Sequence, residues 1–266
     1  MKKLPQWDYK PSPNAGLCLA GVALVSSPLL AAVGRYGMSH KVESATVIKD
    51  GITYTLRSAP MWTNLIEIGA PLAAVLALIL LGRLGRYDVG LTVGKPGVSF
   101  IWIAVGIVLI AAVQLGGVIA LIVWVRMTDS ELPPEWLNPA PLVTIEFFWP
   151  VLLSECIVGP VREELLYRGV NVPALERVGG PWLAILGSAV IFALGHDVAA
   201  ERNLLDTVGV SGSLLVRGMI LGWVFLKTRS LAVVISLHSV DNLFVNVQRA
   251  IMLCHPDFVR GLFLAG

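Results

Sequence analysis

The sequence VSFIWIAVGIVLIAAVQLGGVIALIVWVR, residues 98–126, contains no charged residue before its last position, Arg126. About 20 consecutive apolar residues are enough for a helix to cross a bilayer. This block is longer than one crossing requires, so we expect the helix to tilt or to extend beyond the bilayer. The stretch therefore predicts a membrane-spanning helix.

The whole chain has the composition of a membrane protein. Of its 266 residues, 56% are hydrophobic and only 14% are charged, whereas soluble domains usually carry about a quarter charged residues. The net charge of +2 and the absence of a long basic run argue against a nucleic-acid-binding protein. Cys18, Cys156 and Cys254 lie in or next to apolar blocks, so we expect packing residues and not a disulfide framework.

Seven apolar blocks predict an all-α fold, a polytopic transmembrane helix bundle, with six and eight spans as alternatives. The blocks lie at about 16–35, 61–82, 98–126, 142 to beyond Glu163, 181–196, 209–226 and 230–253. They divide the chain into N-terminal membrane helices at 1–141, a second membrane unit at 142–254 and a C-terminal tail at 255–266.

Charge asymmetry orients these spans. The N-terminal tail and the segments at 83–95, 168–177 and 227–229 are basic, whereas the loops at 127–141 and 197–208 are acidic. The excess of Lys and Arg on the cytoplasmic side of membrane proteins then predicts an integral, multi-pass protein with a cytoplasmic N-terminus. We expect the membrane to be the cytoplasmic membrane of a bacterium.

The first external loop has a hairpin signal. Residues 46–56 read TVIKDGITYTL, in which Asp50 and Gly51 stand between β-branched and aromatic residues. An Asp-Gly pair in that setting favours a two-residue hairpin turn. We therefore expect a small external β-hairpin near 42–57.

Ionisable residues inside membrane helices are costly, and they mark functional sites by default. Here they cluster in three motifs. The fourth block contains REELLYR at 162–168, the fifth ends in FALGH at 192–196, and the seventh contains HSVDN at 238–242. The last four helices therefore carry the candidate site.

The spacing of these motifs predicts which residues meet. Gly179 and Gly180 look like the turn of an antiparallel helix hairpin, and Glu163 and His196 are equally far from that turn. They should therefore lie at the same depth on neighbouring helices. His238 and Asn242 are four residues apart and share one helix face. His238 stands about nine residues past the preceding turn, roughly 13 Å into its helix, somewhat shallower than the first pair.

These side chains suit hydrolysis. A carboxylate with a nearby imidazole can activate water as a general base. A second imidazole and a side-chain amide can donate hydrogen bonds to a developing oxyanion. Water, base and oxyanion donors together predict cleavage of a peptide bond without a covalent nucleophile.

The three motifs resemble those of the CPBP family, the CAAX proteases and bacteriocin-processing (Abi or Rce1-like) membrane proteins. The family pattern is EExxxR, then FxxxH, then HxxxN or HxxxD, and this chain has EELLYR, FALGH and HSVDN in that order. The resemblance covers roughly residues 142–246. It implies a cofactor-free intramembrane endopeptidase that acts on a membrane-associated protein or peptide, with 142–254 as its catalytic core.

The resemblance also implies roles for individual residues. Glu163 would be the base for the water, with His196 beside it, and His238 and Asn242 would form the oxyanion site. Glu164 and Arg168 are four residues apart and would form a supporting ion pair.

Three alternatives stay open at this point. Glu163, His196 and His238 form a two-histidine, one-carboxylate set that suits zinc, although the chain has no HExxH spacing. A membrane scaffold or immunity protein could keep the helices without catalysis. A transporter could use the same residues as an ion path, but no inverted repeat supports one. The substrate could be a prenylated CAAX protein, a leader peptide or a C-terminal sorting tail.

Two aspartates adjoin the motifs. Asp197 follows His196, and Asp241 precedes Asn242. On a helix, each aspartate would point about 100° away from the motif residue next to it. We expect both to be bystanders to the reaction.

Two further polar residues lie inside apolar blocks. Arg217 in the sixth block is expected to counter a carboxylate such as Glu155 or Glu163, with contact to a substrate C-terminus as the alternative. Gln114 in the third block is expected to be a polar residue of helix packing.

Overall fold

The computed structural model describes residues 43–49, 52–58, 69, 72–73, 76, 87, 89–92, 96–128, 152–196, 204–254 and 261. Within these ranges the chain forms helices α1 Pro96–Thr128, α2 Gly159–Leu166, α3 Val172–Gly195, α4 Leu204–Thr228 and α5 Leu231–Cys254. Two π-helical segments, Ser154–Val158 and Tyr167–Asn171, flank α2. Strands β1 Glu43–Lys49 and β2 Ile52–Ser58 precede the helices.

The hairpin predicted around Asp50 and Gly51 is confirmed. Strands β1 and β2 pair in antiparallel register, from Lys49 opposite Ile52 to Glu43 opposite Ser58. The register leaves two residues between the strands, which is the loop length that an Asp-Gly turn favours.

The predicted helices agree with the structure wherever it describes them. The third, sixth and seventh blocks correspond to α1, α4 and α5. Helices α1 and α4 extend beyond both predicted ends, and α5 has the predicted length but is displaced by one residue. The first block, and most of the second, lie outside the described residues. Among those described, Pro96–Thr128 and Leu231–Gln248 are long and apolar enough to cross a membrane, and Gly179–Gly195 is a shorter apolar helix. The count of seven spans therefore stays a prediction.

Helix α3 is broken at the predicted turn. Gly179 has φ −142° and ψ 18°, and Gly180 has φ 75° and ψ −173°, so neither is helical. A positive φ is easily adopted by glycine because it has no Cβ. Pro181 follows directly, where its fixed φ suits the first turn of the outgoing helix. The chain therefore turns back here, and residues 181–195 return beside the helix that carries Glu163.

The turn between α4 and α5 is anchored to two other parts of the chain. Arg229 adopts φ 50°, and its guanidinium Nη2 lies 2.6 Å from Oε1 of Glu176. The amide of Leu231 donates to the main-chain oxygen of Gly90 at 2.9 Å. These contacts fix where α5 begins, and so fix the position of the polar residues further along it.

The core lies between the second part of α3, α4 and α5, with α1 against one side. Trp102 of α1 meets Trp223 of α4 edge to face, with ring centroids 5.1 Å apart. The buried core side chains are Ile110, Leu165, Val172, Ala184, Ile185, Leu221, Val224, Phe225, Leu226, Leu231, Val233, Val234 and Leu237. Gly218 brings α4 close to α3, because a Cβ there would lie only 2.9 Å from Cα of Ala189.

The outer surface of these helices is also apolar. Met127 of α1 is 81% exposed, and Leu194 and Trp182 of α3 are 79% and 72% exposed. Contiguous apolar surface of this kind marks an interaction with a membrane or a partner. Together with the length of α1, it fits helices whose outer faces contact lipid.

The close approach at Gly218 gives a stability prediction. Replacing Gly218 with alanine should force α4 away from Ala189, because a Cβ cannot be accommodated at that distance. Overpacking of this kind costs about 1–3 kcal/mol. Gly212→Ala on the same helix is the matched control, since a Cβ there has no atom within 4 Å. The melting temperature of the detergent-solubilised protein should fall for Gly218→Ala only. Equal melting temperatures for the two variants would contradict the packing described.

Candidate active site

The three predicted acid and base side chains meet at one carboxyl group. Oε2 of Glu163 lies 3.6 Å from Nε2 of His196 and 3.8 Å from Nε2 of His238. The His238 side chain is 6% exposed, that of Glu163 16% and that of His196 35%. The cluster is therefore open to solvent or substrate on the His196 side and closed on the His238 side.

The helix break and the helix ends bring these residues together. Glu163 lies in α2, between the two π-helical segments, and the turn at Gly179 and Gly180 returns the chain beside it. His196 is the first residue after α3, with an extended backbone at φ −94° and ψ 126°. Its predicted closeness to Glu163 is confirmed. The predicted contact forms even though the helix between Glu163 and the turn is irregular, since it contains the π-helical segment Tyr167–Asn171.

His238 reaches both glutamates of the first motif. Its imidazole contacts two consecutive carboxylates, with Nδ1 2.7 Å from Oε1 of Glu164 and Nε2 3.8 Å from Oε2 of Glu163. The somewhat shallower position estimated from residue counting therefore does not keep His238 from the first pair, and its depth stays a prediction.

The predicted ion pair between Glu164 and Arg168 is confirmed. Nη1 of Arg168 lies 2.7 Å from Oε1 of Glu164, and both side chains are 0% exposed. Nη2 of Arg168 also donates to the main-chain oxygen of Gly218 at 3.2 Å. The guanidinium carbon lies 4.7 Å from the centre of the Phe192 ring, within the range of a cation–π contact. Arg168 therefore joins α2, α3 and α4 beneath the site.

Phe192 packs against both histidines as well. Its ring centroid lies 4.6 Å from that of His196 and 6.0 Å from that of His238, in edge-to-face arrangements. The first residue of FALGH thus forms the apolar wall of the site. His196 follows the end of α3 with an extended backbone, and its ring nevertheless packs against that of Phe192.

The hydrogen bonds of the two imidazoles define which ring nitrogens face Glu163. Nδ1 of His196 lies 2.8 Å from the main-chain oxygen of Phe192, which can only accept. Nδ1 of His238 faces the Glu164 carboxylate in the same way. A hydrogen bond at one ring nitrogen determines the state of the other. In their neutral forms, both rings therefore present an Nε2 lone pair towards Glu163.

Asn242 lies one turn beyond His238 on α5, as predicted. Its amide Nδ2 donates to the main-chain oxygen of Glu155 at 2.7 Å. An amide nitrogen carries two N–H groups. One of them holds the first π-helical segment, and the described residues give no acceptor for the other. Of the four predicted residues, two histidines thus face the Glu163 carboxyl, and Asn242 is bonded to Glu155.

The sequence analysis did not identify Asn246 as a member of this region. Asn246, a further turn along α5, donates from Nδ2 to Oε2 of Glu155 at 3.0 Å and to the main-chain oxygen of Asn242 at 2.9 Å. One signal could have indicated it. Asn242 and Asn246 are four residues apart and so share one helix face, and Glu155 is a carboxylate in another apolar helix that needs such a partner.

Arg217 has a carboxylate partner, as expected, but that partner is Asp241 and not either of the two carboxylates named as examples. Nη1 of Arg217 lies 3.4 Å from Oδ2 of Asp241. Gln114 of α1 donates to the other oxygen of Asp241 at 2.5 Å, which confirms it as a residue of helix packing. Asp241 sits between these two partners and away from Glu163. Asp197 lies outside the described residues.

Glu163, His196 and His238 are also the candidate metal ligands of this region. Two imidazoles and a carboxylate are ligand types that zinc prefers. Among the residues that the structure describes, no group of three or more His, Cys, Asp and Glu side chains is arranged to hold a metal ion.

Comparison with known proteins identifies this region of the chain. Residues 145–244 match the family model described as type II CAAX prenyl endopeptidase, Rce1-like. The match contains all three motifs and ends shortly after Asn242. No curated protein and no solved structure matches the chain.

The buried ion pair gives a stability prediction. Arg168→Met should destabilise the protein by about 3–5 kcal/mol, because it leaves the buried Glu164 carboxylate without its countercharge. Arg162→Met is the control, since the Arg162 contact to Glu163 is partly exposed and pairs of that kind contribute about 0–1 kcal/mol. Chemical denaturation in detergent measures both. Similar losses in the two variants would contradict the account of Arg168.

Proposed function

We propose that this chain, whose residues 145–244 form an Rce1-like domain, is an intramembrane endopeptidase that hydrolyses a peptide bond with a water activated by Glu163. The convergence of two histidines on the Glu163 carboxyl is the observation that carries the proposal. The family description names a CAAX prenyl endopeptidase, which supports a membrane-associated protein or peptide as the substrate.

The distances around Glu163 suit a shared water. Separations of 3.6 and 3.8 Å are too long for direct N–H···O hydrogen bonds, and contacts of that length are commonly bridged by water. The carboxylate and the neutral Nε2 atom of His196 are both acceptors. A water molecule can donate a hydrogen bond to each of two acceptors, which makes it favourable for them to lie close together. We therefore place the nucleophilic water beside the Glu163 carboxylate.

The reaction then proceeds in two steps. The water oxygen attacks the peptide carbonyl carbon while Glu163, assisted by His196, takes one water proton. The tetrahedral oxyanion collapses, the C–N bond breaks, and the proton held by Glu163 passes to the leaving amine. The products are a carboxylic acid and an amine, and no covalent enzyme intermediate forms.

His238 and Asn242 supply donors to the oxyanion in this proposal. Asn242 retains one amide N–H beyond the hydrogen bond to Glu155. His238, when protonated on both ring nitrogens, donates from Nδ1 to Glu164 and from Nε2 into the site. A single donor aimed at the oxyanion contributes roughly a hundredfold to a thousandfold to the rate.

The first test of this function is made in cells. Glu163→Gln keeps the size of the side chain but removes the base, and general bases contribute about a hundredfold to ten-thousandfold. Terminal peptides from membrane fractions of cells with the wild-type protein should include cleaved ends that disappear in Glu163→Gln. Asp206→Asn is the control, because it makes the same change from acid to amide near the start of α4, outside the three motifs. Identical termini in all three strains would favour a non-catalytic scaffold instead.

The second test concerns zinc. A water activated by Glu163 and His196 without a metal predicts that purified protein contains less than stoichiometric zinc by elemental analysis. It also predicts that a strong chelator leaves the cleavage rate unchanged. Stoichiometric zinc that is lost in a His196→Ala variant, together with inhibition by the chelator, would replace the metal-free mechanism by a zinc-dependent one.

A further inference from the structure

The helix that carries Glu163 is irregular just before the site. In the segment Ser154–Val158 the amide of Gly159 bonds to the main-chain oxygen of Ser154, five residues back. Turns of this π-helical type are rare and concentrate at functional sites. They need support from outside the helix, because the wider turn disrupts the regular ladder of main-chain hydrogen bonds.

Helix α5 provides that support through two asparagines. The amide of Asn242 donates to the main-chain oxygen of Glu155, and the amide of Asn246 donates to the carboxylate of the same residue. Asn246 also donates to the main-chain oxygen of Asn242 and lies 3.9 Å from Sγ of Cys156. We call Glu155, Asn242 and Asn246 the Glu155 clamp.

The clamp and the active site lie at two levels of the same helix pair. Glu155 is two helical turns before Glu163, and Asn246 is about two turns after His238. At the site level, His238 bonds to Glu164 at 2.7 Å. Helix α5 is thus attached at two separate levels to the helix that carries Glu163. Two attachments fix the rotation of that helix as well as its distance from α5. A one-residue slip would turn Glu163 by about 100°, away from both histidines.

We propose that Asn246 is a positioning residue for the reaction, which holds Glu155 and thereby sets the direction in which the helix presents Glu163. The inference rests on the proposed function. It extends the site to two residues, Glu155 and Asn246, that neither the sequence motifs nor the family pattern include. Asn246 acts through Glu155 and need not touch substrate.

The test is a reciprocal exchange of donor and acceptor in the full-length protein. Asn246→Asp removes the donor and places a second carboxylate against Glu155. Glu155→Gln alone leaves an amide oxygen that still accepts from Asn246. In the double variant the new glutamine donates to the new aspartate, so the bond is restored in the opposite sense. Gln248→Glu, two residues further on α5, is the control for adding an acidic group to this helix.

Two readouts are taken on purified protein in detergent. The first is the cleavage of a fluorogenic peptide that ends in a farnesylated CAAX sequence. The second is hydrogen exchange of the backbone amides at 154–163. Asn246→Asp should lower kcat by about tenfold to a hundredfold with little change in KM, since small misplacements of a reacting group have effects of that size. It should also speed the exchange. The double variant should recover most of both. Glu155→Gln, which keeps an acceptor for Asn246 but loses the charge, should lie between wild type and Asn246→Asp, and Gln248→Glu should resemble wild type.

The outcomes separate the clamp from the proposed function. If wild type cleaves the peptide and Glu163→Gln does not, a wild-type kcat in Asn246→Asp would overturn the clamp. A double variant no better than Asn246→Asp would overturn it too. If wild type and Glu163→Gln do not differ in cleavage, the proposed function fails. In that case the hydrogen-exchange rates at 154–163 still test the clamp by themselves. Rates in Asn246→Asp equal to those of wild type would overturn it.

Discussion

The buried contact between Arg168 and Glu164 is the interaction on which the rest of the site depends. Neither side chain is exposed, so each charge is stable there only because the other is present. The same carboxyl oxygen that accepts from Arg168 also meets Nδ1 of His238. One buried carboxylate therefore connects the helix that carries Glu163 to α5. Through the bond from Arg168 to Gly218 it also reaches α4.

The geometry around that carboxylate explains why consecutive glutamates have different environments. Glu164 points into the bundle and is fully enclosed, whereas Glu163 points towards the more exposed His196. Adjacent side chains on a helix diverge by about 100°, so only a group placed between them can contact both. His238 is that group. In the proposed mechanism, Glu164 orients the imidazole and Glu163 reacts, and the two π-helical segments that flank α2 permit this alignment.

Much of this arrangement could be predicted from the sequence because it depends on local rules. The distance of Glu163 and His196 from the Gly-Gly turn predicted their contact, and the four-residue spacing of Glu164 and Arg168 predicted their ion pair. The Asp-Gly pair predicted the hairpin. What failed depended on tertiary placement. Nothing in the sequence indicated that Arg217 would pair with Asp241, since both candidate partners and Asp241 are carboxylates in neighbouring helices. The contact of His238 with Glu164 was not predicted either, because the π-helical turns that flank α2 leave no clear mark in residue types.

The most direct measurement of the central claim follows the oxygen of the attacking water. Purified wild-type protein and Glu163→Gln are incubated with a farnesylated CAAX peptide in heavy-oxygen water, and the products are analysed by mass spectrometry. The account predicts that wild type yields a shortened peptide with one heavy oxygen in its new carboxyl group. It also predicts no product from Glu163→Gln above the buffer alone. Cleavage by Glu163→Gln at the wild-type rate would contradict the assignment of Glu163 as the base.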